Sequence, residues 1–280
     1  MKRYVITVFF LLCMINTCAA AGPASAPKRI ISLAPSLTEI LYALGLGDNI
    51  VGVTTFCDHP EEAKKKPKIG GMSNPSLEAV VALKPDVVVL TTDGNPKEFE
   101  ERLISLRIKT YVFEARTITE LPQGIRDLAN ALGVKERGER LAKSIDDGVR
   151  KASASASRVN GKASRKKVLF IVWPEPLIVA GRGTAIDDAI TLLGYDNIAS
   201  SAATAYPKYS IEEVMRQAPD VLVIGKGSGM DMAAVSKGIL KRLAIVPAVR
   251  NNRVCYVGDG LYRLGPRVVQ GIEELSACLK

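Results

Sequence analysis

One histidine in 280 residues narrows the chemistry this chain could perform. A Ser-His-Asp or Cys-His hydrolase would have to use His59, whose nearest thiol, Cys57, lies two residues away in a Pro-bounded turn. That spacing is poor geometry for a nucleophile and its base. A zinc site, which draws on several histidines or cysteines, lacks the material as well. His59 therefore reads as an exposed loop histidine, with axial ligation of a metal carried inside a bound ligand as the alternative. The run GKGSG (225–229) follows a strand and precedes a helix, the setting in which glycines cradle phosphate. It has neither the G-x-G-x-x-G nor the Walker pattern, and reads as a flexible strand-to-helix turn.

Residues suited to binding are better supplied. Aromatics make up only 5% of the chain, so their placement matters. Phe56 follows a strand of the first half, and Trp173 ends the first strand of the second half. Tyr206 and Tyr209 bracket Pro207, and Tyr262 stands beside Arg263 in GDGLYRLGPR. All fall at strand ends or in loops, where an α/β sheet presents its ligand crevice. Flat π-faces with polar tips suit a large planar ligand. Taken singly each is equally a loop-packing residue; the shared placement points to a ligand.

The elements that must position these residues occur twice. SLEAVVALKPDVVVL (76–90) and SIEEVMRQAPDVLVI (210–224) align without gaps at an offset of 134, with seven of fifteen positions identical. Upstream, LTEILYALGLGDNI (37–50) answers AIDDAITLLGYDNI (185–198). The same order in both halves indicates two related lobes with a cleft between them. In the first, RIISLAP is a strand and Ser36 or Thr38 can cap the helix that reaches Leu44. Strands IVGVT, DVVVLTT and KTYVFEA alternate with helices at 76–83 and 96–106. Continuous Val/Ile/Leu runs of this kind indicate parallel sheets covered on both faces. Between the halves, Leu141, Ile145, Val149, Ala152 and Ala156 recur at steps of four and three, one stripe of a single long helix. One crossing helix makes a stiff connection and predicts modest lobe motion; an amphipathic helix inside one continuous domain is the alternative.

Composition frames this reading. Lys2 and Arg3, an apolar run from Val5 to Ile15 and the small residues Ala19 to Ala21 have the form of a cleaved secretory signal. A lipoprotein anchored through Cys18 is the alternative. The expected organisation is a signal peptide (1–21), a disordered tether (22–28), an N-terminal α/β lobe (29–134), a linking helix (135–160) and a C-terminal α/β lobe (166–280). No later segment approaches eighteen apolar residues, so the mature chain is expected to be soluble. Export allows disulfides. Of Cys57, Cys255 and Cys278, the second sits in strand RVCYV and the third near the end of the terminal helix, so these two could pair; three buried free thiols are the alternative. The net charge is +9, and +7 without Lys2 and Arg3. Its basic runs, KKKPK (64–68) and SRKK (164–167), lack interleaved aromatics and read as solvated faces, with no nucleic-acid partner.

The chain resembles the periplasmic binding proteins for vitamin B12, within the wider class that serves iron-siderophore and haem ABC importers. The resemblance spans about 29–279 and rests on RIISLAPSLTEILYALGLGDNIVGVT, FCDHP, GGMSNPSLEAVVALKPDVVV, AYPKYSIEEVMRQAPDVLV and GDGLYRLGPRVVQGIEEL. It implies two α/β lobes bridged by one long helix, no catalytic residue and no cofactor, the cobalt arriving inside a cobalamin or related corrinoid. Phe56 and Tyr206 match positions of aromatic contacts to the corrin, Trp173 lies near a third, and Asp259 and Arg263 match a cleft-lining pair. B12 binders often carry a Trp just before the Gly-Met of the first lobe. Ile69 stands there instead, which removes a stacking face and leaves open cobinamide or another chelate. Glu78 and Glu212, each in the first turn after a capping Ser, match the glutamates that dock onto arginines of a membrane permease dimer. Favourable interaction with the helix dipole is their local alternative. The resemblance thus implies a monomeric periplasmic receptor delivering a corrinoid to an ABC importer. Its rivals are a ferric siderophore or haem receptor and an enzyme on a nitrogenase-like two-lobed fold. Anionic siderophores need several converging cations, where the cleft candidates supply chiefly Arg263, and a cluster enzyme needs more cysteines.

Overall fold

In the computed structural model, which describes residues 26–159, 165–227 and 230–280, each half of the chain builds its own sheet, parallel in the first half and mostly parallel in the second. The first contains β1 (Ile30–Ser32), β2 (Ile50–Val53), β3 (Val87–Thr91) and β4 (Thr110–Phe113), in the order β2-β1-β3-β4. Helices α1 (Pro35–Ala43), α2 (Leu77–Ala82), α3 (Lys97–Ser105) and α4 (Leu121–Ala131) cover it. Successive strand residues point to opposite faces. Ile30, Val87 and Val89 accordingly enter one apolar cluster, and Ile31, Val88 and Leu90 another. With both faces buried, the continuous apolar runs read from the sequence are what this sheet requires.

A 25-residue helix, α5 (Lys135–Val159), joins the halves and packs against α4. Ile145 of its stripe is buried in the same apolar cluster as Ile30, and Leu141, Val149 and Ala152 pack against that cluster; the side chain of Ala156 lies outside the described residues. The second half has β5 (Lys167–Pro174), β6 (Leu177–Val179), β7 (Asp196–Asn197), β8 (Val221–Gly225) and β9 (Val254–Val257). Their order is β6-β5-β8-β9, with β7 beside β5; β6 alone runs antiparallel. Helices α6 (Ala185–Leu192), α7 (Ile211–Gln217), α8 (Met232–Arg242), α9 (Pro247–Arg250) and α10 (Val268–Leu279) complete it. The cluster that holds Ile30 and Ile145 continues into Val168, Phe170 and Ile272, so one core runs from lobe to lobe.

The repeated segments fold alike for identifiable reasons. Ser76 and Ser210 cap α2 and α7, their hydroxyls accepting from the Ala79 and Glu213 amides at 3.2 and 3.1 Å. Each helix then leaves through a left-handed residue, Lys84 (φ 44°) or Ala218 (φ 48°), just before the shared Pro-Asp. Asp86 accepts from the Lys28 and Arg29 amides, and Asp220 from the Lys167 amide, tying each copy to the first strand of its lobe. The start of α1 differs from expectation. Neither Ser36 nor Thr38 caps it: Pro35 occupies the first position after Ala34, where the missing N–H is no loss. Thr38 is buried instead, its hydroxyl 2.8 Å from Ser32 Oγ and 3.1 Å from Cys57 Sγ.

Cys255 of β9 and Cys278 of α10 form a disulfide, with Cα atoms 6.0 Å apart, which excludes three free thiols. Cys57 is free and buried. The expected signal peptide, Cys18, most of the tether and residues 228–229 of GKGSG lie outside the described residues.

Candidate functional site

The C-terminal ends of both sheets face a common cavity of about 390 Å³. Phe56, Met72, Asp93 and Arg116 line it from the N-terminal lobe; Tyr206, Tyr262 and Arg263 line it from the other. Two expected contact residues therefore line one cavity from opposite lobes, and they keep unusual exposure for large apolar side chains: 59% for Phe56 and 39% for Tyr206. Leaving a ring in water that a ligand could cover forgoes roughly 1.5–3 kcal/mol.

Each ring is displayed by a fixed turn. Phe56 lies between Thr54 and Cys57, and the Cys57 amide donates to the Thr54 carbonyl. Cys57 Sγ is clasped by the Thr38 and Thr54 hydroxyls, both at 3.1 Å, so a buried thiol anchors the turn. Tyr206 lies between Ala205, whose carbonyl accepts from the Gly181 amide at 2.8 Å, and Pro207, whose carbonyl accepts from Val179 at 3.1 Å. That loop is thereby pinned to β6. Burial, with Asp93 nearby, pushes the Tyr206 hydroxyl up to about 12. Tyr262 is also pushed up to about 12, by burial first and then by Asp259. Its hydroxyl donates to the Lys226 carbonyl, and its ring lies against Gly225, where a Cβ would come within 3.2 Å.

Behind the rings, five charged side chains form an alternating chain across the lobes. Arg263 donates to Asp58 and lies 2.9 Å from Asp259; Arg267 lies 2.7 Å from the other Asp259 oxygen and donates twice to Glu39, at 2.8 and 2.5 Å. Glu39 and Asp58 belong to one lobe and the other three to the second. Burial opposes the charge on Arg263, but Asp58 and Asp259 outweigh it and raise its pKa. The Glu39 hydrogen bonds are the largest influence raising Arg267. Arg263 reaches the cavity already neutralised, and Asp259 does not line it: this aspartate stands behind Arg263 and Arg267 and holds both.

Two other expectations, on Trp173 and Ile69, are corrected. Trp173 does not line this cavity. It lies in the β5–β6 hairpin, its Nε1 donates to the Glu175 carbonyl at 2.8 Å, and its ring packs on the core beneath that sheet. Ile69 is fully buried among Leu33, Val80 and Leu90, so its side chain is a core side chain and its identity removes no stacking face. His59 is exposed, as expected of a loop histidine, and outside the cavity lining. Glu78 and Glu212 are both exposed in the first turns of α2 and α7. Their own backbone amides, then the capping serines, hold each carboxyl below the usual range.

The residues that sequence reasoning missed were Glu39, Asp58, Asp93, Arg116 and Arg267. Glu39 carried a usable signal: a lone carboxylate inside the apolar helix LTEILYAL must be paired if buried. Among the described residues no group of three or more His, Cys, Asp or Glu could hold a metal ion. The arrangement is one for enclosing a flat apolar body with a polar rim.

A family model described as periplasmic binding protein matches residues 30–260. The vitamin B12-binding protein of Pectobacterium carotovorum is 29% identical over 272 residues, covering 97% of this chain and 95% of that protein. The structure of the periplasmic heme-binding protein RhuT from Roseiflexus sp. RS-1, in apo form, superposes with a TM-score of 0.81 at 31% identity, over 91% of this chain and 98% of the other. The periplasmic vitamin B12 binding protein BtuF of Vibrio cholerae gives 0.80 at 26% identity, over 91% and 98%.

Proposed function

The chain belongs to the periplasmic binding protein family, and we propose that it captures cobalamin or a related corrinoid between its lobes and delivers it to the permease dimer of an ABC importer. It is a binding protein and not an enzyme. On this reading the precursor is exported to the periplasm, works as a monomer, and presents Glu78 and Glu212 to the two halves of the permease. A two-lobed protein meeting a two-fold partner should carry like charge at matching places on each lobe.

The observation that carries the substrate is the character of the cleft wall. Two exposed aromatic rings line one cavity from opposite lobes, while Arg263, partly buried, is already paired by two aspartates. Such a wall suits a large macrocycle fringed with amides better than a polyanionic ferric siderophore. Haem is the second reading, supported by the heme-binding neighbour and by the phenols in the cavity. Binding iron through Tyr206 or Tyr262 would have to overcome a hydroxyl pushed up to about 12 in each. A corrinoid such as cyanocobalamin asks for no such ligand, because it brings its own axial ligands to the cobalt.

Titration of the purified mature protein with cyanocobalamin, cobinamide, haemin and a ferric siderophore, followed by ligand absorbance, tests the reading. One-to-one binding of a corrinoid is expected. Tight binding of an iron chelate with no corrinoid response would overturn the substrate.

A further inference from the structure

Beside the aromatic cavity lies a second hollow of about 380 Å³, which shares Asp93, Arg116 and Tyr206 with it and continues onto Arg182, Thr184 and Ala205 of the other lobe. Its arginines differ from those behind the rings. Arg263 and Arg267 are each engaged by two carboxylates, whereas among the described residues neither Arg116 nor Arg182 makes an ion pair. Arg116 spends only its Nε, which donates to Thr92 Oγ1 at 3.2 Å, leaving both terminal NH2 groups available. Arg182 comes from the turn ahead of α6 and is exposed.

Two acids border the same hollow. Glu120 is turned toward the chain: one of its oxygens accepts from the Arg116 and Thr117 amides at 2.9 and 3.2 Å, and the Arg116 amide is the main cause of its lowered pKa. Asp93 sits near the Tyr206 phenol, whose ionisation it opposes. Two cations and two acids leave the hollow without net charge, so it exerts no general pull on a polyanion, and an anion there would be held by direct donation from the two guanidiniums. The two arginines border the hollow from opposite lobes, and each guanidinium presents the fork of donors that suits an oxyanion.

We infer that Arg116 and Arg182 form a polar annex of the cleft that receives one oxyanion on the ligand's periphery, a phosphate ester of a corrinoid or a carboxylate of a porphyrin. The inference rests on the reading that the cleft takes a tetrapyrrole-like macrocycle. The annex would rank ligands of the same ring by the presence of that anion, and would add a contact spanning both lobes.

Matched pairs of probes test it: cobinamide phosphate against cobinamide, and haemin against its dimethyl ester. Affinities are measured for the wild type and for R116Q, R182Q, R182K and the double glutamine variant, at low and high salt. In the pair whose ring binds, the wild type should favour the anion-bearing member. Each glutamine substitution should shrink that preference about tenfold, the loss expected for a charged hydrogen bond. R182K should keep part of it, and salt should erode it. A wild type with no preference, or variants with an undiminished ratio, would overturn the annex while leaving the macrocycle reading intact. Failure of all four probes to bind the wild type would instead sink the macrocycle reading, and the annex with it.

Discussion

Replacing Arg267 with Met should be among the most damaging single changes outside the apolar core. Among the described residues Arg267 is the ion-pair partner of Glu39, whose side chain is only 2% exposed, and it donates to both oxygens of that carboxylate from the other lobe. Truncation leaves Glu39 as a buried, uncompensated charge and also frees one oxygen of Asp259. Breaking one partner of a buried pair costs about 3–5 kcal/mol, most of it the penalty of the charge left behind. At roughly 2–4 °C per kcal/mol for a chain of this size, the melting temperature should fall on the order of 10 °C. The partner substitution decides whether this reasoning is right. In E39Q/R267M the buried charge is gone, so stability should return most of the way; E39Q alone should sit between the two. Urea unfolding at neutral pH, followed by circular dichroism, supplies all three values. If R267M loses less than about 1 kcal/mol, or if the double variant is no better than R267M, the Glu39–Arg267 pair is not the buried electrostatic link described above.

Substituting Phe56 or Tyr206 by Ala should weaken corrinoid binding by roughly 10- to 100-fold each, from about 1.5–3 kcal/mol of lost ring burial, while thermal stability barely moves because both rings are exposed in the free protein. Equilibrium absorbance titration and a melt on the same samples check both halves; a large fall in melting temperature would count against a ligand role. E78A and E212A should each reduce uptake by reconstituted importer vesicles without altering corrinoid titration, with the effects adding because the sites lie on different lobes. Both carboxyls are held below the usual range, so docking should be flat through neutral pH and fade only as pH falls past those lowered values. Asp188 works in the opposite sense. Burial raises its pKa even though it accepts from the Ile118 amide across the lobes at 2.9 Å. Its folded form therefore holds the proton more tightly than the unfolded chain does, and its contribution to stability is greatest at low pH. That contribution should decline as pH rises from about 3.9 through the raised folded value and then stay constant. D188N should remove that slope in a denaturant series run from pH 3.5 to 7, and an unchanged slope would refute the assignment.

The strands and the repeated Ser-capped helices were legible because short-range physics decides them. An apolar run long enough for a strand can be satisfied only by two covered faces, and Ser-x-Glu before a helix satisfies its first amides wherever it stands. Phe56 and Tyr206 were legible for a related reason: large rings in loops have no local core to enter. Trp173 obeyed the same rule on paper, yet the antiparallel β5–β6 return supplies it with a core and a carbonyl partner inside its own lobe. Ile69 misled in the converse way, since its register against Val53 turns the side chain inward, and register is invisible in a single chain. The charge chain lies furthest from view. Glu39 and Arg267 are separated by 228 residues, and neither helix pattern announces that the two will meet.

That charge chain, together with the shared core, bears on how the cleft works. Glu39–Arg267, Asp58–Arg263 and Asp188 with the Ile118 amide join the lobes at polar contacts, while α5 and the continuous apolar cluster join them behind. Opening the cleft widely would strip partners from buried charges and expose core at the same time, each at several kcal/mol. On the proposed reading, the lobes would then keep Phe56 and Tyr206 in place before any ligand arrives. Binding free energy is then not spent on closing the protein, and the standing penalty is the exposure of Phe56 and Tyr206 to water. A receptor built this way discriminates by the fit of a rigid slot. Loosening the slot, as R267M would, should weaken ligand binding even though Arg267 is absent from the lining of the cavity.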